Sequence, residues 1–73
     1  MPLIQVKVIE GVFTKEQKQE MVRRLTDTMV AIEGENMRGV TSVVIENISS
    51  GEWGIGGNTL TTEDVKALAA GKR

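Results

Sequence analysis

The residue of this chain with the most distinctive chemical potential is Pro2. It is the only proline in the sequence, and it directly follows Met1. If Met1 is removed, the ring nitrogen of Pro2 becomes a free secondary amine, and burial in an apolar pocket favours the neutral form of an amine. A neutral amine can act as a base or a nucleophile near neutral pH. The structural alternative is that Pro2 only begins a strand, where no hydrogen-bond donor of the sheet is lost.

Composition excludes most other catalytic devices. The chain contains no cysteine and no histidine, so disulfides, Cys/His zinc sites, a Ser-His-Asp triad and a cysteine nucleophile are ruled out. The segment Gly54-Ile55-Gly56-Gly57 does not have the spacing of a dinucleotide-binding or phosphate-binding loop, and its glycines predict turns and a hairpin. The single tryptophan, Trp53, is expected to pack in a core or an interface, with the wall of a substrate pocket as the alternative.

Length and charge restrict the class of protein further. A chain of 73 residues is expected to form one domain over residues 1–73, with a core too small to be very stable alone, so partner subunits are predicted. The net charge of −1 and the dispersed cations give no electrostatic footprint for nucleic acid. No apolar run approaches the ~20 residues of a membrane span, and no signal peptide is evident. The sequence therefore predicts a soluble, cytoplasmic protein without membrane association, metal or cofactor.

Two elements must position Pro2. Alternating apolar residues predict a first strand over residues 3–9, with Ile4, Val6 and Val8 on one face. Thr14 and Gln17 form a capping-box pattern, which predicts that a long helix begins at Thr14 or Lys15 and ends at Gly34. The helix is amphipathic, and its predicted apolar stripe comprises Met21, Val22, Leu25, Met29 and Ile32.

The rest of the chain completes a compact α/β pattern. A polar connection over residues 35–39 leads to a second strand over residues 40–48, which is rich in β-branched residues. Strand, helix and strand in this order predict a βαβ unit with parallel strands and a right-handed crossover. The glycine-rich segment 52–58 follows, and a short helix is predicted from Thr61 or Thr62 to Gly71.

Four short motifs together resemble the 4-oxalocrotonate tautomerase family. They are Pro2-Leu3-Ile4 at the start of the first strand, Glu10-Gly11 at its end, Glu16-Gln17-Lys18 in the first helical turn, and Gly51-Glu52-Trp53-Gly54-Ile55-Gly56-Gly57. Each motif is weak alone, and the specificity lies in their combination along nearly the whole chain. The segment after Asn58 is longer than in short members of the family.

The resemblance implies a fold and an activity. The fold is a two-layer α/β (α+β) βαβ subunit whose parallel strand pair joins that of a second subunit in a four-stranded sheet, usually with three such dimers in a hexamer. The catalytic group is the amino-terminal proline, here Pro2, which shifts a proton between the oxygen and a carbon of a conjugated enol or keto acid. Trp53 occupies the place of a pocket-lining aromatic residue, which would exclude water and favour the neutral amine.

The sequence departs from the family at two cationic positions. Well-known members have an arginine directly after Glu-Gly and another in the second strand, where this chain has Val12 and the run Ser42-Val43-Val44. Arg38, just ahead of the second strand, is the first candidate for binding a substrate carboxylate, with an exposed, solvated arginine as the alternative. Weaker candidates are Arg23, Arg24, Lys72 and Arg73.

The leading prediction is therefore a cofactor-independent keto–enol tautomerase of small enols or 2-keto and 2-hydroxydienoate acids, as in the catabolism of aromatic compounds. Two alternatives remain open. Pro2 could serve in the hydration, dehalogenation or decarboxylation of a small unsaturated acid. The chain could also be a non-catalytic subunit of a homo-oligomer or of a hetero-oligomer in which a second chain supplies the arginines.

Overall fold

The computed structural model describes residues 1–71, and the tail cations Lys72 and Arg73 lie outside the described part of the chain. Residues cluster into two compact units, and the long strands contribute to both. The first unit contains Met1–Val6 and Thr14–Glu46. The second contains Lys7–Phe13 and the described residues from Asn47 onward.

The single domain and the cytoplasmic location predicted from the sequence stay predictions. Within the described residues, none of the helices has the length and apolar character needed to cross a membrane.

Strands β1 (Leu3–Ile9) and β2 (Ser42–Ile48) pair with each other. The Ser42 N–H donates to the Pro2 carbonyl at 3.1 Å, and the Glu10 N–H donates to the Ile48 carbonyl at 2.8 Å. Both bonds fit one register, in which Leu3 lies beside Ser42 and Ile9 beside Ile48, so the strands are parallel. The predicted βαβ order and strand direction are confirmed.

Helix α1 (Lys15–Glu33) begins and ends where the sequence predicts. The Thr14 hydroxyl accepts from the Gln17 N–H, the Gln17 side chain accepts from the Thr14 N–H, and Gly34 closes the helix with a positive φ of 105°. These contacts satisfy backbone groups that a helix terminus leaves without an internal partner.

The apolar stripe of α1 differs from the prediction at two residues, Val30 and Ile32. Met21, Val22, Leu25 and Met29 are half-buried, and Val30 is buried. Ile32 was expected in this stripe, but it is 79% exposed. At about 3.6 residues per turn, Ile32 points between the directions of Leu25 and Met21, which are half-buried, so its exposure follows from its place in the last turn, one residue before the helix ends at Glu33.

The connection after α1 is more ordered than predicted. Glu35–Val40 form a 3₁₀ helix, and β2 begins at Ser42 instead of Val40. In a 3₁₀ helix, side chains three residues apart lie above one another, and here Glu35 and Arg38 form an ion pair at 3.0 Å. The β-branched Val40 suggested a strand, but this local pairing favours the tighter helix.

The second unit contains a hairpin of β3 (Trp53–Ile55) and β4 (Asn58–Leu60), followed by α2 (Thr62–Ala69). Gly56 and Gly57 form the two-residue turn with φ of 60° and 84°, a conformation that glycine adopts without strain. The predicted hairpin and short helix are confirmed. Thr61 caps α2 in a reciprocal box with Asp64.

The beginning of α2 is tied to the end of β1. The buried Thr62 donates its hydroxyl to the Glu10 carbonyl at 2.6 Å, and its N–H donates to Ser50 Oγ at 2.9 Å. The Ser50 N–H in turn donates to the Glu10 carboxylate at 3.0 Å. A Cβ at Gly11, where φ is 79°, would come within 3.0 Å of the Thr62 methyl group. These contacts fix the start of α2 within its unit.

We predict that Thr62→Val lowers the free energy of unfolding by about 1–3 kcal/mol, because it removes the hydrogen bond from the buried Thr62 hydroxyl to the Glu10 carbonyl while preserving shape. Thr59→Val on β4 is the matched control, because Thr59 is exposed. Chemical denaturation at one protein concentration, followed by circular dichroism, measures both. Equal stability of the two variants would contradict the proposed contribution of the hydroxyl.

Candidate active site

Pro2 lies directly before β1 and is half-buried. Its carbonyl accepts a hydrogen bond from the Ser42 N–H, which attaches this residue to β2. Met1, in contrast, is 90% exposed. Removal of Met1 would therefore leave the ring nitrogen of Pro2 at the head of a strand whose backbone is held in place.

Arg38 is held between two acidic side chains of the first unit. Its Nε donates to Glu35 at 3.0 Å, and its Nη1 donates to Asp27 at 2.8 Å. These hydrogen bonds, with that of Glu35 the larger influence, raise the pKa of the Arg38 guanidinium above its ordinary value. Arg38 is a permanent cation whose charge is already balanced by two carboxylates, so a substrate carboxylate would have to compete with them.

A cavity of about 380 Å³ adjoins Arg38 in the same unit, and its other lining residues are Val22, Arg23, Thr26 and Asp27. The lining combines two guanidinium groups with one carboxylate. The space beside Arg38 is therefore large enough for a small acid, although Asp27 shares the same wall. The sequence prediction that Arg38 binds substrate stays a prediction.

The two helical arginines considered as weaker candidates share one carboxylate. Arg23 and Arg24 donate to Glu20 at 2.7 Å and 2.6 Å. These bonds, first that of Arg23 and then that of Arg24, lower the pKa of the Glu20 carboxyl below its ordinary value. Each guanidinium therefore has an acidic partner on its own helix.

Trp53 begins β3 in the second unit and is half-buried. It lines a cavity of about 160 Å³ together with Lys7, Val8, Ile9, Phe13 and Val65. It also lines a neighbouring cavity of about 230 Å³ with Lys7, Ile48, Glu52 and Gly54. Trp53 therefore borders two cavities of the second unit, and its role as the wall of a substrate pocket stays a prediction.

Lys7 is a residue that sequence reasoning did not select. It is an exposed cation on β1, and it lines both cavities that Trp53 lines. The available signal was the one charged side chain of β1, which is flanked by Val6 and Val8. Exposed strands commonly carry such lysines. Lys7 is distinguished only by the structure, in which it lines the same two cavities as Trp53 of the hairpin.

The two units contain different parts of the predicted site. Pro2 and Arg38 belong to the first unit, and Trp53 belongs to the second. Among the described residues, no group of three or more acidic side chains is arranged to hold a metal ion. The chemistry available from the side chains present is that of an amine terminus, cations and apolar cavities.

Comparison with known proteins gives the family. The model of the tautomerase enzyme family matches residues 2–63, beginning at Pro2. A probable tautomerase K2 of Dickeya dadantii (strain 3937) is 31% identical over 61 residues, which are 84% of this chain and 90% of the relative. The chain thus belongs to the tautomerase family, whose members are isomerase enzymes, and the enzyme class expected from the sequence is confirmed.

Solved structures agree with the fold. The crystal structure of apo unFused 4-OT matches with a TM-score of 0.72 and 33% identity, covering 81% of this chain and 93% of that chain. The structure of DmpI from Helicobacter pylori matches with a TM-score of 0.68 and 27% identity over 99% of this chain and 100% of that chain. The 4-oxalocrotonate tautomerase resemblance drawn from the sequence is confirmed.

The ion pairs of Arg38 lead to a test of its predicted role. If Arg38 binds a substrate carboxylate, Arg38→Gln should lower kcat/KM for an acidic substrate by roughly 10–100-fold, and Asp27→Asn should lower KM by removing a competitor. Steady-state kinetics with an acidic enol and a neutral enol measure both effects. Arg24→Gln is the control for loss of an exposed arginine. Equal losses on the two substrates would exclude carboxylate binding by Arg38.

Proposed function

We propose that this protein is a cofactor-independent tautomerase of small enols or keto acids in which the nitrogen of Pro2 is the general base. The observation that carries the proposal is the position of Pro2. It begins the stretch that matches the tautomerase family, and its carbonyl is bonded to Ser42 while Met1 projects into solvent. Loss of Met1 converts a tertiary amide, which has no basicity, into a secondary amine.

The chemistry needs only one proton carrier. A free α-amine has a pKa of about 7.7–8.0, so a substantial fraction is neutral near pH 7.5. The neutral nitrogen removes a proton from the enol hydroxyl or from a carbon next to a carbonyl. The electron pair shifts along the conjugated system, and the resulting ammonium returns the proton to another atom of the same system. Substrate and product have the same composition, so no further reactant is required.

The ring of Pro2 supports this role in two ways. The ring prevents rotation about the N–Cα bond, so the N–H and the lone pair of the neutral amine occupy only two arrangements relative to the backbone. The hydrogen bond from the Ser42 N–H then restrains that backbone. A base that is already oriented loses little conformational freedom when it meets the substrate.

We expect Pro2→Ala to lower kcat/KM for ketonisation of an enol acid by about 10²–10⁴-fold, the usual contribution of a general base. The variant keeps an amine terminus, but a primary one on a less restrained chain. The wild-type rate should rise with pH as the amine loses its proton. Ultraviolet assays with phenylenolpyruvate and a 2-hydroxydienoate measure the rates.

A form of the protein with Met1 retained is the matched control, because it keeps the proline ring and removes only the basic nitrogen. Intact-mass measurement assigns each preparation, and the active wild type should lack Met1. Full activity with Met1 retained, or in Pro2→Ala, would overturn the assignment of Pro2. Inactivity of all forms on every enol would favour the non-catalytic subunit.

The proposal includes a homo-oligomer. On the outer face of the parallel strand pair, Leu3 is 58% exposed and Val44 is 44% exposed. Only three apolar residues, Val8, Ile9 and Val30, are buried within the described chain. A second copy packed against this face would cover these exposed apolar side chains and increase the buried apolar area.

Light scattering is expected to give a dimer or a larger assembly, with a hexamer as the expected form. Val44→Lys should shift the distribution toward smaller species, because it places a charge where a second copy would otherwise cover the apolar side chain of Val44. Thr28→Lys, on the exposed surface of α1, adds the same charge elsewhere and is the control. A folded wild-type monomer at low micromolar concentration would contradict the oligomer.

A further inference from the structure

Thr41 lies between the 3₁₀ helix and β2, and both its N–H and its hydroxyl bond to the crossover that precedes it. The N–H donates to the Arg38 carbonyl at 3.3 Å, which closes the 3₁₀ helix. The hydroxyl donates to the Met37 carbonyl at 2.7 Å and also bonds to the Glu33 carboxylate. Glu33 is the last residue of α1. One half-buried threonine therefore ties the start of β2 to both helices of the crossover.

The Thr41 hydroxyl has one hydrogen and two acceptors. It donates fully to only one oxygen at a time, and the Glu33 carboxylate and the Met37 carbonyl both lie within hydrogen-bond distance. Hydrogen bonds to an ionised acceptor are stronger than those to a neutral carbonyl, so Glu33 is the more important partner. Either bond holds the Thr41 side chain to the crossover.

The residue after Thr41 carries the hydrogen bond to Pro2. The Ser42 N–H donates to the Pro2 carbonyl at 3.1 Å. This N–H lies in the same planar peptide unit as the Thr41 carbonyl, so its direction follows from the backbone of Thr41. All of these residues belong to the first unit. The contacts that fix Thr41 thus also fix the donor that restrains Pro2.

The restraint on the Pro2 carbonyl reaches the ring nitrogen through one rotatable bond. The ring blocks rotation about the N–Cα bond, and only rotation about the Cα–C bond separates the nitrogen from the restrained peptide unit. A misplacement of about 1 Å between reacting groups lowers a rate by about 100-fold. A small movement of the Ser42 N–H is therefore sufficient to disturb a base at this nitrogen.

We propose that Thr41 is a positioning residue, whose hydroxyl, bonded to the end of the crossover, directs the Ser42 N–H to the Pro2 carbonyl and so orients the base. As a statement about catalysis, this inference rests on the proposed tautomerase function. As a statement about what restrains the start of the chain, it depends only on the hydrogen bonds.

Amide hydrogen exchange, followed by nuclear magnetic resonance, tests the restraint without any substrate. Thr41→Val keeps the shape and removes the hydroxyl, so exchange at Ser42, corrected for the intrinsic rate of each sequence, should become about ten-fold faster. Thr41→Ser keeps the hydroxyl and should remain near wild type. The Glu10 N–H, bonded to the Ile48 carbonyl at 2.8 Å, is the internal reference, because a general loss of stability would accelerate both amides.

Two further variants provide a matched control and a direct comparison. Thr28→Val removes a hydroxyl that bonds to the Arg24 carbonyl at 2.9 Å on the exposed surface of α1. Ser42→Pro removes the donor itself. Thr41, with φ of −92° and ψ of 122°, already has the conformation favoured before a proline, and a strand tolerates proline at its first residue.

Kinetics with phenylenolpyruvate measure the consequence for the base. Thr41→Val should lower kcat about ten-fold and leave KM within about two-fold of wild type, because the orientation of the base changes and the binding contacts do not. Thr41→Ser and Thr28→Val should keep the wild-type kcat, and Ser42→Pro should lose at least as much as Thr41→Val. In a Pro2→Ala background, Thr41→Val should have almost no further effect, because the group that it positions is gone.

The outcomes separate this inference from the proposed function. An inactive wild type, with faster Ser42 exchange in Thr41→Val, would reject the tautomerase proposal and retain the restraint. Equal Ser42 exchange in Thr41→Val and Thr28→Val, or equal acceleration at Ser42 and Glu10, would overturn the restraint. In an active wild type, an unchanged kcat in Thr41→Val or Ser42→Pro, or an undiminished effect of Thr41→Val in the Pro2→Ala background, would overturn the positioning role.

Discussion

Parallel pairing of β1 with β2 is the constraint on which the rest of the structure depends. Two parallel neighbours cannot be joined by a tight turn, so the chain needs a long crossover between them, which α1 and the following 3₁₀ helix provide. The first hydrogen bond of the pair, from Ser42 to the Pro2 carbonyl, also restrains the residue that becomes the chain terminus. The same pairing that builds the sheet therefore orients the proposed base.

Three arginines of the first unit form ion pairs with acidic side chains. Arg23 and Arg24 share Glu20, and Arg38 bonds to Asp27 and Glu35. Exposed pairs of this kind add little stability, but they set the charge that an incoming acid meets. Because Arg38 has two carboxylate partners, its attraction for a third is weaker than that of an arginine with none. Lys7, which belongs to the second unit, differs from these arginines. It borders two cavities, and no carboxylate lines the smaller of them.

The second unit shows how a few polar contacts shape an apolar site. Glu10, Ser50 and Thr62 form a connected set of hydrogen bonds at the start of α2. Their directionality fixes the helix, and the helix places Val65 in the wall beside Trp53. Hydrophobic contacts alone have little directional preference, so the polar contacts give the cavity its defined size.

The sequence by itself determined most of the helices and strands and the family of this protein. Alternation in β1, the capping box of α1 and the double glycine of the hairpin are local signals, and local backbone chemistry decides them. The position of Pro2 after Met1 is likewise visible in the sequence alone. Only the tertiary structure decided that Ile32 is exposed, that residues 35–40 are helical, that Arg38 has two acidic partners, and that Lys7 and Val65 share a cavity with Trp53. The cavity and the Asp27–Arg38 ion pair depend on contacts between residues that are distant in sequence. The 3₁₀ helix depends on whether the strand propensity of Val40 or the pairing of Glu35 with Arg38 is stronger, which the sequence pattern does not show.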